Sequence, residues 1–320
     1  MSQAAPVLPA SARVEIQPAT LFALQHAARS LSLRAGNISA ARGGSHLSKF
    51  RGRGMEYEES RRYLPGDDIR SIDWRVTARS GTTHTKLYRD ERERPVLTWL
   101  DYRASMFFAT VGSFKSVLAA QSMALLAWTA QNNGDRVGGM IFNDTDHHEY
   151  RPRRGRQSML AMLQSAGEQS RWRPETHPAS INRVDTDTLE AALHRLQRLA
   201  RPGSLLFLVS DFRGLTFHPN NPAKKLLARL ADHNELLLHQ IYDPLEQALP
   251  DNGRYPISDG LRQFMLQPSP STQQRYREEF LGRQQALQSL SQRRNVGLIT
   301  QTTADDLLAV LQRALPARRQ

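Results

Sequence analysis

Three apolar runs in this chain end on an aspartate: VLTWLD at 96–101, SLLFLVSD at 204–211 and ELLLHQIYD at 235–243. Two more, DRVGGMIFND at 135–144 and VGLITQ at 296–301, have the same texture. Runs this short and this apolar read as strands buried on both faces. Between them lie helical patterns at 112–134, 156–166, 186–200, 222–234, 271–295 and 304–315. Strands that alternate with helices predict an α/β fold, a mainly parallel sheet with helices on both faces. In such sheets ligand sites gather beyond the carboxyl ends of the strands. Asp101, Asp211 and Asp243 each stand at such an end.

The rest of the chain divides by texture. Residues 1–20 are rich in Ala, Pro and Ser and are expected to form a flexible N-terminal arm. Residues 21–95 open with LFALQHAARSLSL, which spaces Leu21, Leu24, Ala28 and Leu31 along one helix face, and continue as a Gly- and Arg-rich, strand-rich segment. Residues 96–320 hold the alternating domain. No apolar run reaches membrane-spanning length, and the start lacks the layout of a secretory signal, so a cytoplasmic location is expected. With no cysteine there is no disulfide, thiolate zinc site or cysteine nucleophile. A net charge of +12 raises the prospect of an anionic partner. The densest basic run, RPRRGRQ, carries Arg151, Arg153, Arg154 and Arg156 without interleaved aromatics. Nucleic-acid binding through these arginines is the alternative function.

Motifs for catalysis are scarce. The chain has no phosphate-binding Gly-x-x-x-x-Gly-Lys-Ser/Thr loop and no Gly-x-Ser-x-Gly elbow. Glu56, Asp67, Asp68 and Asp73 are interspersed with as many arginines, which argues against a two-metal centre. His147 and His148, after Asp144 and Asp146, read as an exposed polar loop rather than metal ligands. At the strand ends, WLDYRASMFF and LVSDFRG resemble the magnesium site of von Willebrand factor type A domains, a strand ending in Asp-x-Ser-x-Ser with a distant Thr and a second Asp. Asp101, Ser105 and Asp211 match that pattern, with Thr186 or Thr188 in the Thr place; hard oxygen donors suit a divalent ion. Arg103 stands where the pattern asks for Ser. Its guanidinium is expected to replace the metal as counter-charge for Asp101 and Asp211, so no cofactor is expected and Mg is doubtful. The rim formed by Arg103, Asp211, Asp243 and Glu246 is the expected interaction surface.

One stretch mixes both signs of charge around a Pro-Gly pair: RYLPGDDIRSIDWRVTAR at 62–79. Pro65-Gly66 suits a tight turn, and Arg61, Tyr63, Gly66, Asp67, Asp68, Arg70, Asp73 and Trp74 are expected to form a structural network of ion pairs and hydrogen bonds, with Asp73, Trp74 and Arg75 on a strand of alternating faces that buries Ile72 and Trp74 to different extents. This stretch, together with IYDPLEQALPDNGRYPISD at 241–259, resembles the signatures of the domain of unknown function family 58, from about Gly54 to Asp259. The resemblance implies a Rossmann-like, von Willebrand factor type A-like domain preceded by a strand-rich segment. It also implies partnership with a MoxR-type AAA+ ATPase in a chaperone-like maturation system, and it establishes no catalytic activity. The expected function is therefore a non-enzymatic adaptor that binds such an ATPase or a client protein.

Overall fold

The computed structural model describes residues 11–33, 55–63, 72–90, 94–171, 185–249, 254–258 and 263–316. In chain order it contains helices α1 (Ser11–Val14) and α2 (Pro18–Ala23), strand β1 (Met55–Arg62), helix α3 (Trp74–Ser80), and strands β2 (His84–Asp90) and β3 (Pro95–Asp101). Helix α4 (Lys115–Asn132), strands β4 (Arg136–Phe142) and β5 (His147–Arg153), helices α5 (Gln157–Gln169) and α6 (Asp185–Leu199), and strand β6 (Leu205–Ser210) follow. The chain continues through α7 (Pro222–His233), β7 (Glu235–Tyr242), α8 (Pro244–Gln247), β8 (Tyr255–Ser258), β9 (Gln263–Leu266), α9 (Pro270–Ser291), β10 (Val296–Thr302) and α10 (Leu307–Ala314). Two compact units result: residues 47–93, and the remainder of the chain.

The larger unit is a six-stranded sheet in the order β10-β7-β6-β3-β4-β5. All neighbours are parallel except β4 and β5. Strand periodicity sorts the core into two layers. Val96 and Leu100 face one apolar cluster, which also holds side chains of α4, α5 and α10. Leu97 and Trp99 face the other, with side chains of α6, α7 and α9. The apolar runs are therefore buried on both sides, as the sequence predicts.

Residues 11–33 belong to this unit, which differs from the expected division into an arm to residue 20 and a segment from 21 to 95. Ile16 is buried, and its N–H donates to Ser170 Oγ at 3.0 Å. At Gly167 an added Cβ would lie 2.6 Å from Pro18 Cγ, so only glycine admits this approach. Helix α4 is consequently buried around most of its circumference. The expected helix over 21–33 is broken into α2, a turn and a 3₁₀ turn at Ala27–Ser30. Trp128 Nε1 donates to the Leu21 carbonyl at 3.1 Å and Thr129 Oγ1 to the Ala28 carbonyl at 3.2 Å. Arg94 completes the fastening, bonding Glu235 at 2.7 Å and the Leu33 carbonyl.

His147 and His148, expected in a polar loop, instead open the antiparallel outer strand β5. A Cβ at Gly138 would lie 2.3 Å from the Tyr150 carbonyl oxygen, so the bare backbone lets β5 close on β4. A strand whose outer positions are charged has no apolar run to betray it.

In the smaller unit β1 and β2 pair antiparallel, and an isolated bridge joins Ile72 to Thr85. Asp73 and Trp74 are not a strand with alternating faces. Asp73 caps α3, accepting from the N–H groups of Arg75 at 3.1 Å and Val76 at 3.2 Å, and Ser60 Oγ donates to its other oxygen at 2.8 Å. An aspartate before a helix satisfies otherwise orphaned amides, and that preference wins here over strand alternation. Trp74, on the first turn, is 69% exposed. Tyr63 N–H donates to the Thr83 carbonyl and Arg61 bonds the Arg62 carbonyl. Gly66, Asp67, Asp68 and Arg70 lie outside the described residues.

One polar string crosses the core of the larger unit. Ser122 Oγ lies 2.7 Å from His239 Nδ1, and His239 Nε2 lies 3.0 Å from Gln301 Oε1. Burial pushes His239 down to about 4, against a smaller upward pull from the Gln301 hydrogen bond. Its proton is bound more readily by the unfolded chain, whose value is about 6.5. Stability is therefore full above pH 6.5 and falls as pH drops from 6.5 towards 4, by about 3 kcal/mol from this one group. Urea unfolding midpoints at pH 6.5 and 4.5 should show a smaller acid loss in His239→Asn than in wild type.

Candidate functional site

The site lies at the carboxyl ends of β3 and β6. Asp101, the last residue of β3, accepts from Arg103 four ways: backbone N–H at 2.9 Å, Nε at 3.1 Å to each oxygen, and Nη2 at 2.7 Å. Ser210 Oγ, from the last residue of β6, donates to Asp101 Oδ2 at 2.6 Å. Arg103 Nη2 also lies 3.7 Å from Asp211 Oδ1, and Nη1 donates to the Arg213 carbonyl at 3.0 Å. The guanidinium thus stands between Asp101 and Asp211.

Lys115, the first residue of α4, supplies a second cation that sequence reasoning missed. Its Nζ lies 2.9 Å from Asp211 Oδ2 and 2.6 Å from Glu246 Oε1. An ammonium at a helix N-terminus opposes the helix dipole, so the two carboxylates must hold it there. The available signal is a single Lys in SFKSVLAAQ, where a long apolar helix opens just beyond the Asp101 strand.

Asp243 and Glu246 extend the network through a reciprocal cap of α8. Asp243 accepts from Leu245 N–H at 2.9 Å, and Glu246 Oε2 accepts from Asp243 N–H at 3.1 Å. Asp243 also accepts from Thr110 N–H at 2.7 Å, Thr110 Oγ1 at 2.6 Å and Thr303 Oγ1 at 2.7 Å. One carboxylate therefore joins three loops. The turn after β6 is shaped for the site: Phe212 adopts φ 53°, with its N–H on Ser210 Oγ at 2.7 Å, and Arg213 N–H donates to Asp211 at 3.0 Å.

The side chains of Asp101, Arg103, Lys115, Asp211 and Glu246 are each 0–5% exposed. This corrects the expected surface rim: Arg103, Asp211, Asp243 and Glu246 come together, but buried against one another. Buried charges persist only when paired, and these are. Burial alone would raise Asp211, yet Lys115, then Arg103, Arg283 and Arg213, hold its carboxyl far below the usual range. Burial likewise works against the Lys115 ammonium, and Asp211 and Glu246 outweigh it, so its value is raised. Asp243 is lowered because hydrogen bonds from Thr110, Thr303 and Leu245 overcome its burial.

The remaining candidates fall elsewhere. Ser105 Oγ is buried and has no hydrogen-bond partner among the described residues; Ser210 supplies the hydroxyl on Asp101 instead. Thr188 lies in the first turns of α6, half-buried, and the hydroxyls on the network's carboxylates come from Thr110, Thr303 and Ser210. The Thr186 side chain lies outside the described residues. Asp144 accepts from Ala104 N–H at 2.7 Å, and His147 lies beside Glu149 at 3.7 Å. Among the described residues, no group of three or more His, Cys, Asp or Glu is arranged to hold a metal ion. At these strand ends the Arg103 guanidinium and the Lys115 ammonium fill the gaps between the carboxylates of Asp101, Asp211 and Glu246. Among the described residues, no helix is long and apolar enough to cross a membrane.

These features define an α/β protein with a mainly parallel central sheet and a buried ion network closing its strand ends. The chain belongs to the family described as Protein of unknown function DUF58, whose profile matches residues 59–289. It is 34% identical over 232 residues to the uncharacterized protein Mb1516 of Mycobacterium bovis, covering 71% of this chain and 68% of that one. The same figures hold for the uncharacterized protein Rv1480 of Mycobacterium tuberculosis. Among solved structures, the conserved hypothetical protein BatB from Bacteroides thetaiotaomicron aligns with a TM-score of 0.39 at 13% identity, over 69% of this chain and 95% of that one.

Proposed function

We propose that this chain is a von Willebrand factor type A-like adaptor without turnover of its own, working in the cytoplasm with a MoxR-type AAA+ ATPase to mature or assemble a client protein. The observation that supports it is the closed network at the strand ends. Asp101, Asp211 and Glu246 are each engaged by Arg103 or Lys115, which leaves none of them poised as a general base. What the network provides is rigidity: it ties β3, α4, β6 and α8 into one platform on which outer surfaces keep a fixed shape.

The test is direct binding of the purified protein to the purified MoxR-type ATPase of the same genome, after nuclease treatment, by sedimentation velocity with ATP or ADP. A complex that survives moderate salt supports the adaptor reading. Sedimentation as separate species in both nucleotide states, with the protein folded, overturns it.

A further inference from the structure

We infer that Arg283 and Tyr276 of α9 form a binding site for a small oxyanion of the phosphate class, beside the buried network. The inference stands independently of the adaptor reading. Arg283 is only 8% exposed, yet no hydrogen bond or ion pair engages its guanidinium among the described residues. Its Nε is sealed from solvent without a partner, whereas the two terminal nitrogens are not sealed. A charge buried this deeply calls for an acceptor, since desolvated donors left unbonded are costly. The network does not supply one. Asp211 is taken by Lys115 and Arg103, and Glu246 by Lys115 and the Asp243 N–H. The Phe280 ring, with its centroid 5.8 Å from Arg283 Cζ, offers the cation a π-face but no lone pair. The acceptor therefore comes from outside the chain, at the open terminal nitrogens.

The surroundings select the kind of anion. Residues 276, 280 and 283 stand at i, i+4 and i+7, on one face of α9. Side chains on a helix lean towards its N-terminus, so Arg283 reaches back along that face towards Phe280 and Tyr276. Tyr276 is half-buried, and its hydroxyl makes no hydrogen bond among the described residues. The hydroxyl lies within electrostatic reach of Arg213, Glu246, Lys115 and Arg283. Burial, the largest influence, raises it, so it keeps its proton at neutral pH and acts as a donor. The guanidinium offers two parallel bonds and the phenol a third. A carboxylate spends both oxygens on the fork, whereas a phosphate has a further oxygen for Tyr276. Lys115 and Arg213 offset the negative charge of Glu246 there.

The test is calorimetric titration of inorganic phosphate into the purified full chain at constant ionic strength in chloride, with acetate and phosphoserine titrated alongside. Wild type is compared with Arg283→Gln, with Tyr276→Phe, and with Arg277→Gln, which removes the same charge at an exposed position of α9. The expected result is saturable phosphate binding by wild type, weaker by about tenfold or more in Arg283→Gln and about threefold or more in Tyr276→Phe, with Arg277→Gln near wild type. Tyr276→Phe deletes a single oxygen, so the site stays testable if Arg283→Gln fails to fold. Tighter binding of phosphoserine than of phosphate would assign the site to a phosphorylated side chain, and the reverse order to the free ion. Four results would overturn the proposal. They are no saturable phosphate binding by wild type below about 10 mM, acetate binding as tight as phosphate, an equal loss in Arg277→Gln, and Tyr276→Phe binding phosphate as wild type does.

Discussion

Replacing Lys115 by Met is expected to destabilise the larger unit by about 3–5 kcal/mol, because it leaves Asp211 and Glu246 buried with no cation between them. Met keeps most of the side-chain volume, so a cavity contributes little and the loss reports the charge. The Lys115→Met, Glu246→Gln double variant should recover a measurable share, since one of the two stranded carboxylates is gone. Urea unfolding at pH 7 with a fixed m-value checks both. The pH dependence carries a further signature. Asp211 is depressed in the folded protein, so its pairing contributes fully above the usual carboxylate range and is lost as pH falls through its lower folded value. Removing Lys115 raises that folded value and moves the loss to higher pH. A penalty under about 1 kcal/mol would mean that the ammonium is not buried between the two carboxylates as described.

Arg103→Ser is the second large expectation. It restores the hydroxyl of the type A pattern and removes the guanidinium from between Asp101 and Asp211, for a loss of about 3–5 kcal/mol in the presence of a chelator. Millimolar Mg²⁺ should not restore stability, because the Lys115 ammonium still stands against Asp211. Wild type should melt at the same temperature with chelator and with Mg²⁺. A saturable, stoichiometric Mg²⁺ isotherm for wild type would overturn the view that internal cations have taken the place of the ion. Recovery of Arg103→Ser alone by Mg²⁺ would confine that role to Arg103.

Much of the fold was legible because buried parallel strands announce themselves as apolar runs. VLTWLD, SLLFLVSD and ELLLHQIYD became adjacent strands, and their terminal aspartates came to lie where the sheet places ligand sites. Arg103 was legible too, as a charge in a hydroxyl's place two residues from Asp101. Strand β5 was not, since an outer strand with charged positions has the composition of a loop. Nor was the break at residues 24–26, because side chains of α4, more than a hundred residues away in sequence, bond the carbonyls of Leu21 and Ala28.

The sequence by itself determined the α/β class, the strand-end positions of Asp101, Asp211 and Asp243, and the pairing of Arg103 with Asp101, because each follows from periodicity or from neighbours close along the chain. Only the tertiary structure decided that these charges are buried, that Lys115 joins them, and that Asp243 ties residues 110 and 303 together. Burial of a charge depends on which distant segments close over it, and a one-dimensional pattern of residue types does not record that.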